Sequence, residues 1–145
     1  MLFRSVILNP QALLDLFAFL PVNYLSGGLG FNSFNELKAY LGPAGQGKAW
    51  HHIVEQNQIN NSGFALTDIH NTKNAVAIES GFSGSIHTQI SGYYGSIQDF
   101  TGGSTVRGWL SGQSFEFQFE FGLQELGKYG TVTPTSTGWV FTPLP

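Results

Sequence analysis

The stretch "AWHHIVEQ" (residues 49–56) places two of the four histidines of this 145-residue chain side by side. Trp50, Ile53 and Val54 around the pair favour an extended backbone, and adjacent side chains on a strand point to opposite faces of the sheet. We therefore expect His51 and His52 to serve different partners. An imidazole can bind a divalent cation or take a proton near neutral pH, because its ordinary pKa is about 6.5.

A general base and a metal site each need a second side chain. We interpret His52 as a base that takes a proton from water, with an asparagine carbonyl on the returning strand accepting a hydrogen bond from its ring N–H. His51 is then one ligand of a divalent metal, and His87 on the next predicted helix is the candidate second ligand. This chemistry suits phosphodiester hydrolysis, because a metal neutralises charge that develops on the phosphate. The basic residues nearest in sequence, expected to hold flanking phosphates, are Lys48, Lys73 and Arg107.

The order of the predicted elements brings these side chains together. A first strand carries the histidine pair, and a turn-rich segment with many asparagines follows it. Residues 75–78 are a short β-branched run that predicts a second strand, and Ile86, Ile90 and the Tyr93–Tyr94 pair have helical spacing. Strand, loop, strand and helix in this order place the first histidine of the pair near the histidine at the base of the helix.

Two further helices are predicted before the histidine pair. One lies around residues 11–20, between two prolines. The other covers residues 34–41, where Ser33 and Glu36 form a capping box and a Gly-Pro pair ends the helix. The apolar run near the start is too short for a membrane span and contains Asp15, and it lacks a signal-peptide layout. We therefore expect packing segments there and no membrane partner.

The carboxyl-terminal third carries an ambiguous pattern. "SFEFQFEF" alternates phenylalanine with polar residues, which is typical of a strand. The same residues place Phe115, Phe119, Leu123 and Leu126 on one helical stripe, with Ser114 as a candidate N-cap and a glycine at the end. We favour the helix. Residues 131–145 are too rich in proline and threonine for a helix and predict an irregular or β tail.

Composition limits the classes of function. The net charge is −3 and Lys plus Arg number six, which argues against a broad nonspecific nucleic-acid surface. A bound metal can still supply local positive charge for a phosphodiester. The chain has no cysteine, so disulfides, zinc knuckles and thiol nucleophiles are excluded.

The motifs "AWHHIVEQ", "IHNTKNAVAI" and "SIHTQISGYY" together resemble the HNH, or ββα-metal, nucleases. More narrowly, they are similar to the WHH toxin domains at the carboxyl ends of Rhs and related polymorphic bacterial toxins. The resemblance covers most of residues 33–130. It implies an α+β fold, a small domain with a ββα-metal core flanked by amino- and carboxyl-terminal helices. Residues 1–30 are then a lead-in with a short helix, 31–130 the nuclease toxin domain and 131–145 the tail.

Carried over by position, the resemblance implies that His51 and His87 bind the metal and that His52 is the general base. Asn74 or Asn71 is the asparagine that orients the base, and Asn74 is favoured because it opens the second strand. Paired cysteine knuckles are missing, and a histidine stands where better-known HNH enzymes have an acidic ligand. One divalent metal is implied, and imidazole ligands favour zinc or nickel over magnesium or manganese.

Several residues keep two interpretations. His70 is either a loop histidine or a residue that contacts substrate or supports Asn74. Glu55 is either solvated or a partner for a histidine ring, and Trp50 is expected in the core more than in base stacking. Arg107 and Trp109 are expected to pack a helix against the site.

The resemblance implies an antibacterial effector that hydrolyses phosphodiester bonds, with DNA favoured as substrate. Such an effector is secreted and delivered into the cytoplasm of a target bacterium by a larger Rhs-like parent polypeptide or a secretion apparatus. It also implies a cognate immunity protein. Two alternatives stay open, an RNase toxin of the same fold and a non-catalytic module that binds a structural metal or nothing.

Overall fold

The computed structural model describes Asn9, Ala12, residues 23–136 and residues 138–145. These residues form six α-helices and four strands in a small mixed α+β arrangement. The helices are α1 (Phe34–Leu41), α2 (Gln58–Asn61), α3 (Leu66–Ile69), α4 (Ile86–Tyr94), α5 (Val106–Leu110) and α6 (Phe115–Gly127). The strands are β1 (Lys48–His52), β2 (Ala75–Glu79), β3 (Gly130–Pro134) and β4 (Trp139–Pro143). Apart from Ala12, the helix predicted around residues 11–20 lies outside the described residues.

The strands form two antiparallel pairs. In the first, β1 pairs with β2, and the register sets His51 opposite Val76 and His52 opposite Ala75. The predicted order of strand, loop, strand and helix is confirmed by β1, β2 and α4. The segment between the strands was predicted as turns and loop, but it contains α2, α3 and a 3-10 turn over Thr72–Asn74.

Helix α1 has the predicted bounds, and its caps explain them. The Ser33 hydroxyl accepts a hydrogen bond from the Glu36 N–H at 3.1 Å, which satisfies a backbone donor that the first turn leaves free. The Glu36 carboxylate accepts from the Asn32 N–H at 3.0 Å, one residue earlier than the predicted capping box requires. Gly42 ends the helix with a φ of 78°, a conformation that glycine adopts without a steric penalty.

Helix α6 confirms the helical interpretation of the alternating phenylalanines. Its hydrophobic stripe is fully buried at Phe119, Leu123 and Leu126, and Ser114 caps it by accepting from the Phe117 N–H at 3.1 Å. Two of the polar residues between the phenylalanines, Gln118 and Glu120, are buried as well, so alternation does not separate an inner from an outer face. One of them, Gln118, donates to the Leu110 carbonyl at 2.7 Å, which satisfies its amide inside the core.

The tail folds into the β3–β4 hairpin, so its β interpretation holds for these strands. Val132 and Phe141 point into the hydrophobic core. The Trp139 indole donates to the Lys73 carbonyl at 2.8 Å, which ties β4 to the turn before β2. The hairpin therefore packs beside the start of β2.

The core contains apolar side chains from both strand pairs and from α4, α5 and α6. Its members include Ile53, Val76, Ile90, Leu110 and Phe117. Gly122 on α6 lies so close to Ile53 that a Cβ built there would stand 2.4 Å from the Ile53 carbonyl oxygen. Helix α6 thus rests directly on the chain that follows the histidine pair. Across the described residues, no helix has the length and apolarity to cross a bilayer.

Candidate active-site cleft

A cleft of about 1080 Å³ opens between α1, β1 and the first part of α4. We call it the histidine cleft, because His51, His52 and His87 all line it. Other lining residues used below are Phe34, Lys38, Lys48, Trp50 and Glu55. Trp50 was expected in the core, but it is only partly buried and lies outside the core cluster. Its indole donates to the Gly42 carbonyl at 2.8 Å, which holds the end of α1 against β1. The strand and the two helices thereby bring the histidines to one concave surface.

His51 and His87 meet across the cleft from β1 and α4. Their ring centroids lie 5.5 Å apart and the rings are nearly perpendicular, at 85°. His51 is only 8% exposed. Burial, with the neighbouring His87 and His52 adding to it, lowers the pKa of His51 to about 3. A lowered pKa keeps the imidazole neutral at pH 7, and the neutral ring is the form that offers a lone pair to a metal.

His52 faces a different partner, as its place next to His51 on a strand predicts. Its Nε2 lies 3.2 Å from Nδ1 of His70, within hydrogen-bond distance. Phe34 contacts the His52 ring edge-on at a centroid distance of 4.5 Å and is parallel to the His70 ring within 6°. Burial, followed by the charge of His70, lowers the pKa of His52 to about 3. Burial also lowers the pKa of His70.

Asn74 is fully buried, and its side chain holds backbone groups. Its Oδ1 accepts from the Val54 N–H at 2.8 Å, and its Nδ2 donates to the carbonyls of Val54 at 3.0 Å and Ile69 at 2.9 Å. Val54 lies two residues after His52, and Ile69 immediately precedes His70. This differs from the expectation that an asparagine carbonyl accepts from the histidine ring. Asn74 instead positions the backbones on which both histidines are carried.

Asn71, the alternative asparagine, has a separate role. Its Oδ1 accepts from the Lys73 N–H at 2.9 Å, and its Nδ2 donates to the Thr67 carbonyl at 3.3 Å. Asn71 thus caps the 3-10 turn that precedes β2. Of the two asparagines, only Asn74 bonds to the segment that follows the histidine pair.

The three predicted phosphate-binding residues lie in three different places. Lys48 lines the histidine cleft. Lys73 donates through Nζ to the Thr135 carbonyl at 2.9 Å on the tail side of the domain. Arg107 forms an ion pair with Glu55, with Nη2 at 2.6 Å and Nε at 2.9 Å from the carboxylate. The structure therefore brings only Lys48 of the three to the cleft wall.

The carboxylate of Glu55 pairs with Arg107, which is neither the solvated role nor the histidine-ring contact that the sequence left open. Burial raises the pKa of Glu55, and the hydrogen bond and charge of Arg107 oppose that rise. Arg107 on α5 is as expected a packing residue, with its guanidinium turned to this carboxylate. The pair joins the loop after β1 to α5 and neutralises the acidic group that lines the cleft.

Lys38 is a cleft residue that sequence reasoning missed. It lies one turn after Phe34 on α1, and its Nζ stands 4.5 Å above the centre of the Phe34 ring. The i, i+4 spacing of an aromatic and a lysine on a predicted helix was the available signal. Nothing local indicated that α1 would form a wall of the cleft.

The donor set for a metal is small. Within the part of the chain that the structure describes, no group of three or more His, Asp or Glu side chains converges to hold a cation. His51 and His87 both line the cleft, and their rings are close enough to share an ion, whereas the equally close rings of His52 and His70 are within hydrogen-bond distance of each other. Imidazole nitrogens suit zinc, nickel and copper better than magnesium.

Comparison of the chain with protein-family models, with curated proteins and with solved structures finds no match.

Proposed function

We propose that this domain is a metal-dependent endonuclease that cleaves phosphodiester bonds at the histidine cleft. The observation that carries the proposal is the convergence of His51 and His87, from β1 and α4, beside the separately partnered His52. Two ligands from different elements, with a base next to one of them on β1, are the parts that metal-assisted hydrolysis needs in one concave surface. The ββα arrangement of the two strands and α4 is the proposed core.

His51 and His87 are the residues that would hold one divalent cation, with zinc or nickel favoured over magnesium or manganese. The fit is that of an open site, since two imidazoles leave most of a coordination shell to solvent and substrate. Bound there, the cation supplies positive charge against the negative charge that accumulates on the phosphate. His51 is presented neutral, because burial disfavours its protonated form.

His52 is the proposed general base. Its neutral ring, held between Phe34 and His70, can accept a proton from a water molecule in the cleft. An anionic phosphodiester beside the ring favours the protonated form and so raises the pKa of His52 when substrate binds. Base strength is thereby greatest in the substrate complex, where the proton must be taken.

Lys38 and Lys48 make the cleft attractive to a polyanion. The acidic group in its lining, Glu55, is compensated by Arg107, whereas both lysines reach the cleft wall. DNA is the proposed substrate, on the resemblance to WHH-type toxin domains. The same resemblance supports a role as an antibacterial effector delivered into a target cell by a larger polypeptide or a secretion apparatus, and inhibited by a cognate immunity protein.

The test is cleavage of plasmid DNA and total RNA by the purified protein, with EDTA and a panel of divalent metals. We expect metal-dependent nicking of plasmid that His52→Ala lowers by about 10²–10⁴-fold, the usual contribution of a general base. Asn60→Ala, an exposed amide on α2, is the control for the substitution itself. Nicking by His52→Ala at the wild-type rate would falsify the assignment of the base, and degraded RNA with intact DNA would identify an RNase.

Metal binding is measured separately by calorimetry. His51→Ala and His87→Ala each remove a proposed ligand, so each weakens metal affinity by more than the roughly 10–100-fold typical of an outer-shell partner. His52→Ala keeps both ligands and should bind metal nearly as the wild type does. Unchanged affinity in both ligand variants contradicts the metal site, and affinity without any cleavage selects a non-catalytic module.

A further inference from the structure

We propose that His70 is a positioning residue that fixes the tautomer of His52. In this arrangement the Nε2–H of His52 donates to Nδ1 of His70, and the lone pair of His52 Nδ1 remains open to the cleft. The catalytic consequence rests on the proposed function, whereas the hydrogen bond and its direction do not.

The contact between the rings carries the inference. His52 Nε2 and His70 Nδ1 are 3.2 Å apart, and the rings cross at 73° with centroids 5.3 Å apart. Two unprotonated nitrogens repel at this distance, so in the metal-free protein one hydrogen lies between them. Both residues are buried, at 6% and 4% exposure, so water is poorly placed to replace the bond.

The direction of the bond decides what His52 can do. A neutral imidazole has one N–H and one lone pair. If His70 donated, the hydrogen of His52 would sit on Nδ1, and neither nitrogen of His52 could take a proton from the cleft. If His52 donates, its Nδ1 keeps a lone pair. Because His70 occupies Nε2, Nδ1 is the nitrogen left to serve a molecule bound in the cleft.

The surroundings hold His70 in place for this role. Its backbone N–H donates to the Leu66 carbonyl at 2.8 Å, and its carbonyl accepts from Phe31 at 2.9 Å. The preceding residue, Ile69, is tied to the Asn74 amide. Phe34 contacts both imidazole rings. These contacts restrict movement of the His70 side chain away from His52. An orienting partner needs such a fixed position.

The direct test is NMR on metal-free protein with labelled histidine ring nitrogens. We expect a slowly exchanging ring proton whose one-bond coupling assigns it to Nε2 of His52, with a coupling across the hydrogen bond to Nδ1 of His70. The signal should be absent in His70→Leu. A proton bonded to Nδ1 of His70, or no coupling between the two rings, overturns the proposal whether or not the protein cleaves nucleic acid.

Kinetics then separate positioning from packing. The Oδ1 of an asparagine can stand where histidine Nδ1 stands, so His70→Asn keeps an acceptor and His70→Leu keeps only bulk. We expect His70→Leu to lose about 10-fold or more in kcat with little change in KM. His70→Asn should recover most of that loss, and calorimetry should show wild-type metal affinity in both. Equal kcat in the two variants overturns the positioning role, and an inactive wild type with the NMR coupling intact removes the proposed function alone.

Discussion

At the residue scale, burial determines the protonation state of His51 and His52. His51 and His52 are each held neutral by the loss of water around the ring, with neighbouring histidines adding to the effect. A neutral imidazole is both a metal ligand and a proton acceptor. The same burial makes protonation costly, so the cleft carries an acid-sensitive pair.

Acid should destabilise the metal-free protein through these two rings. A histidine with a pKa near 6.5 unfolded and about 3 folded binds more protons when unfolded at intermediate pH. The contribution of such a histidine to stability is therefore fully present above pH 6.5, and it is lost as the pH falls toward 3. From pH 7 to pH 5 each such histidine removes about 2 kcal/mol from the free energy of unfolding.

Urea denaturation of wild type and His52→Gln at several pH values measures this effect. Burial raises the pKa of three carboxyl groups, which makes stability increase as the pH falls; they are Glu55, Glu120 and Glu125. Both proteins contain these groups, so their effect cancels in the difference. We expect the two stability curves to converge by about 2 kcal/mol between pH 7 and pH 5. Parallel curves would show that the His52 ring is not buried as a neutral base.

Asn74 is the second residue-scale determinant, because its side chain satisfies three buried backbone groups. Asn74→Ala should lower the free energy of unfolding by about 3 kcal/mol or more, since each buried group left unpaired costs about 1–3 kcal/mol. Asn60→Ala, at an exposed position, should change it by less than about 0.5 kcal/mol. Chemical denaturation decides, and a near-neutral Asn74→Ala contradicts the bracing role.

At the element scale, the site depends on how α4 packs against β2 and how α6 packs against the chain that follows β1. Helix α1 and helix α6 follow from local signals, since both have a serine N-cap and an apolar face at helical spacing. The alternation within α6 has the period of a strand, and a period alone does not reveal that Gln118 and Glu120 are also buried. The close approach of α6 to Ile53 at Gly122 is a tertiary feature.

Gly122→Ala tests that approach. The added Cβ would stand 2.4 Å from the Ile53 carbonyl, so α6 must move away from the chain beside His52. We expect a loss of about 1–3 kcal/mol in the free energy of unfolding. The matched control is Gly92→Ala on α4, where a Cβ meets nothing within 4 Å.

In that control, replacing a helical glycine should stabilise the protein by about 0.5–1 kcal/mol. Thermal denaturation of the two variants gives opposite shifts in Tm if the packing is as described. A stabilised Gly122→Ala would show that α6 and the loop after β1 can separate without cost.

At the scale of the whole molecule, the charge of the cleft is opposite in sign to the net charge of the chain. The chain carries a net charge of −3, yet Lys38 and Lys48 line the cleft while its acidic residue, Glu55, is paired with Arg107. A local positive region on an acidic protein attracts a polyanion to one place and repels it elsewhere. Such a domain should bind nucleic acid weakly and mainly through the cleft.

The salt dependence of binding measures this contribution. In a His52→Ala background that prevents cleavage, Lys38→Ala/Lys48→Ala should lower the slope of log affinity against log salt by about 1–2, as expected for two lost phosphate contacts. Lys128→Ala is the control, because its ammonium is bound to Glu125. Equal slopes for the double variant and its background would place the polyanion outside the cleft.

The sequence by itself determined the parts of this domain that depend on neighbours along the chain. The bounds of α1, the helical state of α6, the β1–β2–α4 order and the opposite partners of the paired histidines follow from caps, periodicity and backbone geometry. Only the tertiary structure decided which distant side chains meet. The ring of His52 contacts His70, 18 residues away, where an asparagine was expected. Glu55 pairs with Arg107, 52 residues away. Lys38 becomes a cleft residue through the placement of α1. These contacts depend on loop paths and on the packing of buried faces, where many pairings satisfy the same local pattern and one three-dimensional arrangement selects among them.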